Sequence, residues 1–219
     1  MEKVLQFLNE LSENNNKEWF HANRKRYEEN RDKVLFITEV LINEIRKWDK
    51  DIPVMNPKDC MFRIFRDVRF SKNKQPYKNN FGSFIAKDGR KSISAGYYFH
   101  IEPEGSFMGG GIYMPSAEPL KAIRKYIADH GDEFYAIIND KEFKQVYPEM
   151  YGDKLKTAPK GFPKDHEFID LLRYKSFAFS TNLKKEELLG ENFIENVVKA
   201  FRKLYNVNAF LNTALDKNM

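Results

Sequence analysis

The residues best suited to chemistry lie in one stretch, Arg63-Ile64-Phe65-Arg66-Asp67-Val68-Arg69-Phe70-Ser71-Lys72-Asn73-Lys74-Gln75-Pro76-Tyr77. Guanidinium groups present a planar fork of donors that matches phosphate or carboxylate, and Lys74 adds a point charge. Tyr77 carries a hydroxyl that can donate to the same oxygens. If residues 61–70 run extended, Arg63, Phe65, Asp67 and Arg69 share one face and Phe62, Ile64, Arg66, Val68 and Phe70 the other. If the stretch is helical, Arg63 and Asp67 form an i,i+4 pair. In either case arginines flank Asp67 and keep it ionised, so it reads as an organiser of the arginines and not as a general acid. Pro76 drives Gln75 toward an extended conformation.

Three functions fit this pattern. The first is a site for a small anionic, phosphate- or carboxylate-bearing ligand, with or without catalysis, held by Arg63, Arg66, Arg69 and Lys74, with Tyr77 orienting it and Asp67 fixing the arginines. The second is a nucleic-acid-binding module built on residues 58–91, where ten basic residues face three acids. That local charge of +7 exceeds the +5 of the whole chain, so the remainder sums to −2. The third is an internal ion-pair network in a scaffold that binds another protein, since a buried guanidinium needs a partner.

A second candidate segment is Pro159-Lys160-Gly161-Phe162 with Asp165-His166. Lys160 and His166 on a loop could close over an anion, with His166 able to exchange a proton near neutral pH. The competing reading starts a short helix there, with His166 in its first turn. Gly109-Gly110-Gly111 lacks the lysine and Ser/Thr of a phosphate loop and reads instead as a strand irregularity or a close backbone approach. His21, His100, His130 and His166 are scattered, Cys60 is alone and no acidic cluster stands out, so no metal is expected. Nothing in the sequence identifies a cofactor. Trp19 and Phe20 read as core residues.

The elements that must position these residues follow from periodicity. Residues 3–12 place Val4, Leu5, Leu8 and Leu11 on one helical face. Asn14-Asn15-Asn16 break that helix and cap the next, which carries Trp19, Phe20 and Tyr27. Val34, Leu35, Thr38, Leu41, Ile42, Ile45 and Trp48 predict a core-facing helix over about 31–48. The period then changes. Phe81–Ala86, Ser94–Glu102 and residues 106–114 predict an antiparallel meander, with Asp88-Gly89 and Pro103-Glu104-Gly105 as turns. Helices are expected after Ser116, over Asp132–Ile138 and Lys141–Tyr147, over His166–Leu172, over about Asn192–Leu204 and as one turn at Phe210–Leu215. A strand is expected at Tyr174–Thr181, and a loop over Gly152–Asp165. The fold class is α+β, an antiparallel sheet packed with helices and flanked by helical N- and C-terminal segments, in a single domain over residues 1–219.

Composition agrees with a folded, soluble chain: aromatic residues are 15 % of 219, and mean hydropathy is −0.66. No apolar run suits a membrane span, and the N-terminus does not read as a signal peptide. The single Cys60 is consistent with a reducing cytoplasm.

The spacing Arg63-x-x-Arg66-Asp67-x-Arg69-Phe70 followed by Asn73-Lys74 and Tyr77 resembles the signature of a mainly bacterial family, domain of unknown function 2461. The resemblance extends over Phe7-Leu8, Asn15-x-Lys17-x-Trp19-Phe20, Gly110-Gly111-Ile112-Tyr113 with Pro115, Pro159-Lys160-Gly161-Phe162 before Asp165-His166, and Phe210-Leu211-Asn212. Glu167 stands where the family pattern often has proline. The resemblance implies that the motif is a signature, and it implies no reaction, substrate or cofactor.

Overall fold

A computed structural model describes all of residues 1–219. Its helices are α1 (Glu2–Glu13), α2 (Lys17–Ala22), α3 (Arg24–Ile45), α4 (Pro57–Cys60), α5 (Ala117–Asn139), α6 (Lys141–Val146), α7 (Ile169–Leu172), α8 (Lys185–Leu189), α9 (Phe193–Lys203) and α10 (Tyr205–Asn218). Its strands are β1 (Phe81–Ile85), β2 (Gly96–Ile101), β3 (Phe107–Ile112), β4 (Met150–Tyr151) and β5 (Phe177–Asn182). They form one antiparallel sheet in the order β1-β2-β3-β5-β4. The architecture is α+β with helices at both ends of the chain. The chain divides into two compact units. Met1–Arg90, Tyr98–Met108 and Asn182–Val198 form the first; Lys91–Tyr97, Gly109–Thr181 and Lys199–Met219 form the second.

In the first unit α1 buries Val4, Leu5, Phe7, Leu8 and Leu11, the stripe that its spacing requires. The Asn16 side chain accepts from the Trp19 N–H and starts α2. The long α3 begins at Arg24, earlier than its apolar period shows, because its first two turns are mostly polar and carry no core stripe. Its buried face is Val34, Leu35, Ile37, Thr38, Leu41, Ile42 and Ile45. The Thr38 hydroxyl bonds the Val34 carbonyl at 2.9 Å and meets Ser83 Oγ at 2.9 Å, which fixes α3 on β1 through a satisfied buried polar pair.

In the second unit α5 packs on α10. Phe210 lies 4.9 Å from Phe134 and 5.0 Å from Tyr126, ring centre to ring centre. Helix α5 kinks at His130, where φ is −133°. The pattern there reads as two helices for that reason. Next to the kink, a Cβ on Gly131 would collide with the Phe168 ring. Helix α10 is far longer than the one turn expected, because two of its asparagines find backbone partners outside the helix. Asn208 Nδ2 donates to the Gly96 carbonyl, and Asn212 Oδ1 accepts from the Ala95 N–H. The glycine triplet lies in β3. A Cβ on Gly109 would collide with the Phe179 carbonyl and one on Gly111 with the Phe177 carbonyl, so the triplet permits a close backbone approach to β5.

Candidate functional site: a polar cleft at the arginine motif

The motif is extended, not helical. Phe62 N–H donates to the Gly82 carbonyl, Arg66 N–H to the Pro76 carbonyl and Lys78 N–H to the Ile64 carbonyl, at 2.8–2.9 Å. Met61 bridges Ser83 and Phe65 bridges Tyr77, both antiparallel. Residues 61–66 therefore run back along residues 76–83, and 67–75 close the ribbon as a loop. The alternation follows: Arg63, Phe65, Asp67 and Arg69 are exposed, Ile64 is buried and Arg66 is half-buried.

The motif's charges divide into two groups. Asp67 grips Arg69 with two parallel bonds, Nε to Oδ1 at 2.9 Å and Nη2 to Oδ2 at 2.6 Å. These bonds hold the Asp67 carboxyl below its ordinary range. The pair lies in solvent, so it shapes the loop more than it stabilises the fold. The Lys74 ammonium donates to the Val68 carbonyl at 3.1 Å inside the same loop. Asp67 thus organises one arginine, and the i,i+4 pairing of Arg63 with Asp67 does not form.

Arg66 belongs to the second group. With Lys78, Tyr77, Ser12, Asn15, Asn73, Gln75, Asn79 and Asn80 it lines a cleft of about 470 Å³. Burial pushes the Lys78 ammonium below its ordinary pKa, and the charges of Arg63 and Arg66 push it further the same way. Its Nζ sits 5.6 Å from the centre of the Phe62 ring. No carboxylate pairs with Arg63, Arg66 or Lys78.

Asn15, in the break between α1 and α2, sets the cleft's floor. Its Oδ1 accepts from the Tyr77 N–H at 3.1 Å and its Nδ2 donates to the Tyr77 carbonyl at 3.0 Å, as a neighbouring strand would. The Tyr77 ring stacks on Phe20 at 4.0 Å with 13° between planes, and is only 4 % exposed. Phe20 is a core residue, as expected. Burial raises the Tyr77 phenol pKa, and Glu18 adds to the rise.

Beside the cleft, one face of β2 and the residue after it carry a hydrogen-bonded row. Tyr98 Oη meets His100 Nδ1 at 3.0 Å, His100 Nε2 meets Glu102 Oε2 at 3.1 Å, and Asn79 Nδ2 donates to Glu102 Oε1 at 2.7 Å. The His100 ring stacks on Phe107 at 4.6 Å. Burial lowers the His100 pKa despite the adjacent carboxylate, so the ring is neutral at pH 7. A neutral ring has one N–H; with Nε2 facing a carboxylate oxygen it donates from Nε2, which leaves Nδ1 to accept from Tyr98. Burial pushes the Tyr98 phenol up to about 12.

Lys160 and His166 lie in the second unit and line no part of this cleft. Lys160 is exposed. His166 Nδ1 accepts from the Phe168 N–H at 3.1 Å, and its carbonyl accepts from the Ile169 N–H, so this histidine helps to start α7. No group of three or more His, Cys, Asp or Glu side chains is placed to hold a metal ion. No helix is long and apolar enough to cross a membrane.

Of the motif residues that stand out in the sequence, Arg66 and Tyr77 line the cleft; Lys78, one of the ten basic residues over 58–91, joins them without having been singled out. The signal available was the position of Lys78 one residue past Tyr77, with the return strand behind it. Asn79, Asn80 and Gln75 carried no signal of their own.

A family model described as "Conserved hypothetical protein (DUF2461)" matches residues 3–210. No curated protein and no solved structure matches the chain.

Proposed function

The chain belongs to the DUF2461 family, and from that premise we propose that it binds a small phosphate- or carboxylate-bearing ligand in the cleft over residues 61–80. One observation carries this reading: the charges of Arg63 and Arg66 both bear on the half-buried Lys78, and none of the three forms an ion pair with a carboxylate, Asp67 acting on Arg63 only through its field. Like charges held together cost free energy, and an anion relieves that cost. Arg66 and Lys78 hold the anion, Arg63 adds field, and Tyr77 borders the site. Asp67, Arg69 and Lys74 shape the adjoining loop, and Lys160 and His166 have no part in this reading.

The test is thermal unfolding with and without inorganic phosphate. A ligand at about a hundred times its Kd adds roughly 2.7 kcal/mol. For a chain of this size each kcal/mol moves Tm by about 2–4 °C. The shift is expected to vanish in Lys78→Met, whose own Tm without phosphate holds or rises, because a repelled, half-buried charge has gone. No shift with phosphate, sulfate or citrate, or full protection in Lys78→Met, defeats the proposal.

A second reading, single-stranded nucleic acid bound along residues 58–91, draws on one further observation. Phe70 is 96 % exposed at the loop, beside the Arg69 guanidinium at 5.9 Å and near the exposed Lys72 and Lys74. Oligonucleotide affinity would then fall with log salt by about 0.7 per phosphate contacted, whereas binding of a small anion in the cleft is far less salt-dependent.

A further inference from the structure

The cleft offers more than positive charge. A site for a bare inorganic anion needs donors only. Here the donors are Arg66, Lys78 and Gln75, whose Oε1 accepts from Asn73 Nδ2, leaving its own amide N–H groups to donate. Three other lining groups present acceptors. Ser12 spends its hydroxyl proton on the Asn9 carbonyl at 2.7 Å, so its Oγ is left only to accept. Asn80 has no hydrogen bond from its side chain to the protein, leaving a whole amide for a ligand. Asn79 is pinned: Glu102 can only accept, so the Nδ2 of Asn79 is fixed on Glu102 Oε1 and its Oδ1 occupies the other branch of the amide.

What pins Asn79 reaches further back. Glu102 is itself oriented by the His100 Nε2–H, and His100 by the Tyr98 hydroxyl and the Phe107 ring. A Cβ on Gly82 would come within 2.5 Å of the Tyr98 hydroxyl, so this row requires glycine beneath it. Three side chains in series, Tyr98, His100 and Glu102, thereby fix which end of the Asn79 amide is available.

We infer that the cleft takes an anion carrying hydroxyl groups, a sugar phosphate in chemical class. Its charged end meets Arg66 and Lys78, and its hydroxyls donate to Asn79 Oδ1, Asn80 Oδ1 and Ser12 Oγ. The inference rests on the anion reading above and assigns the ligand class of that same site. The near absence of apolar lining, Tyr77 aside, agrees with a ligand that is hydrophilic throughout. Asn79 and Asn80 are specificity-determining residues, and Glu102 is a positioning residue that acts through Asn79.

The test compares methyl phosphate with glucose 6-phosphate by titration calorimetry on the full chain. Two net hydrogen bonds to hydroxyls amount to about tenfold in affinity, so glucose 6-phosphate is expected to bind about tenfold tighter than methyl phosphate. That ratio falls toward one in Asn79→Ala and Asn80→Ala, and falls in Glu102→Gln, where the new amide no longer dictates the orientation of Asn79. A purely structural role for these residues would weaken both ligands together and keep the ratio. Equal affinities in the unaltered protein overturn the inference and leave the anion reading standing. Binding of neither phosphate overturns both. The comparison in the unaltered protein needs no variant to fold.

Discussion

The Asn15 clamp gives the sharpest quantitative expectation. Its amide makes two part-buried hydrogen bonds, at 3.0 and 3.1 Å, to the backbone of Tyr77, which lies 62 positions away. Asn15→Ala removes both and leaves the Tyr77 N–H and carbonyl without a partner. A hydrogen bond contributes about 0.5–1.5 kcal/mol net, so the loss is about 2 kcal/mol, toward the upper end if water cannot reach the freed groups. At about 2–4 °C per kcal/mol, Tm falls by roughly 4–8 °C. Urea unfolding should show a lower midpoint with an unchanged slope, since the surface exposed on unfolding is the same. Asn73→Ala is the control, because its bonds to Gln75 lie in solvent within one loop. It should stay within about 0.5 kcal/mol. If Asn15→Ala also falls within that range, the clamp is not a determinant of the ribbon and the cleft floor is held by other contacts.

Other expectations follow from single features. Because burial lowers the His100 pKa, its contribution to stability is complete above about pH 6.5 and is lost as pH falls through the lowered folded-state value. Urea titrations at pH 7.5 and 5 should show this acid-side loss, and His100→Gln should lack that component. Gly111→Ala should cost about 3 kcal/mol or more, read as a collapse in Tm, since φ is +95° and the new methyl meets the Phe177 carbonyl. Cys60 is fully buried and its thiol is pushed up to about 12. An aromatic disulfide reagent should therefore leave it unlabelled at pH 8 until urea unfolds the chain.

Much of the framework was legible because its periods are strict. Val4, Leu5, Leu8 and Leu11 repeat as a helix must, and Tyr97, Phe99 and Ile101 alternate as a half-buried strand must; all seven are buried. Where tertiary contacts override local propensity the pattern fell short. Asparagines at 206, 208 and 212 disguised α10, and the five-residue α8 has too few turns to show a period. The site divides along the same line. The arginine motif announced itself by composition, yet which charge stands free depends on pairing between residues 62–66 and 76–82. That pairing turns Lys78 toward Arg66 and leaves Asp67 to Arg69. No spacing along the chain encodes the Asn15 clamp, because it joins segments that meet only after folding.

The ribbon's closure has a topological consequence. The backbone bonds of Arg66 to Pro76 and of Lys78 to Ile64 hold the two ends of the 67–75 loop together without help from the loop itself. Covalent continuity at the exposed Arg69 is therefore dispensable to the ribbon, whereas Asn73 and Gln75, later in the same loop, line the cleft. Trypsin acting at Arg69 would leave two fragments annealed as one particle, separable only in denaturant. The start of that loop, around Arg69, is the natural place to splice in a reporter peptide or to open new chain ends, because it precedes Asn73 and Gln75, which line the cleft.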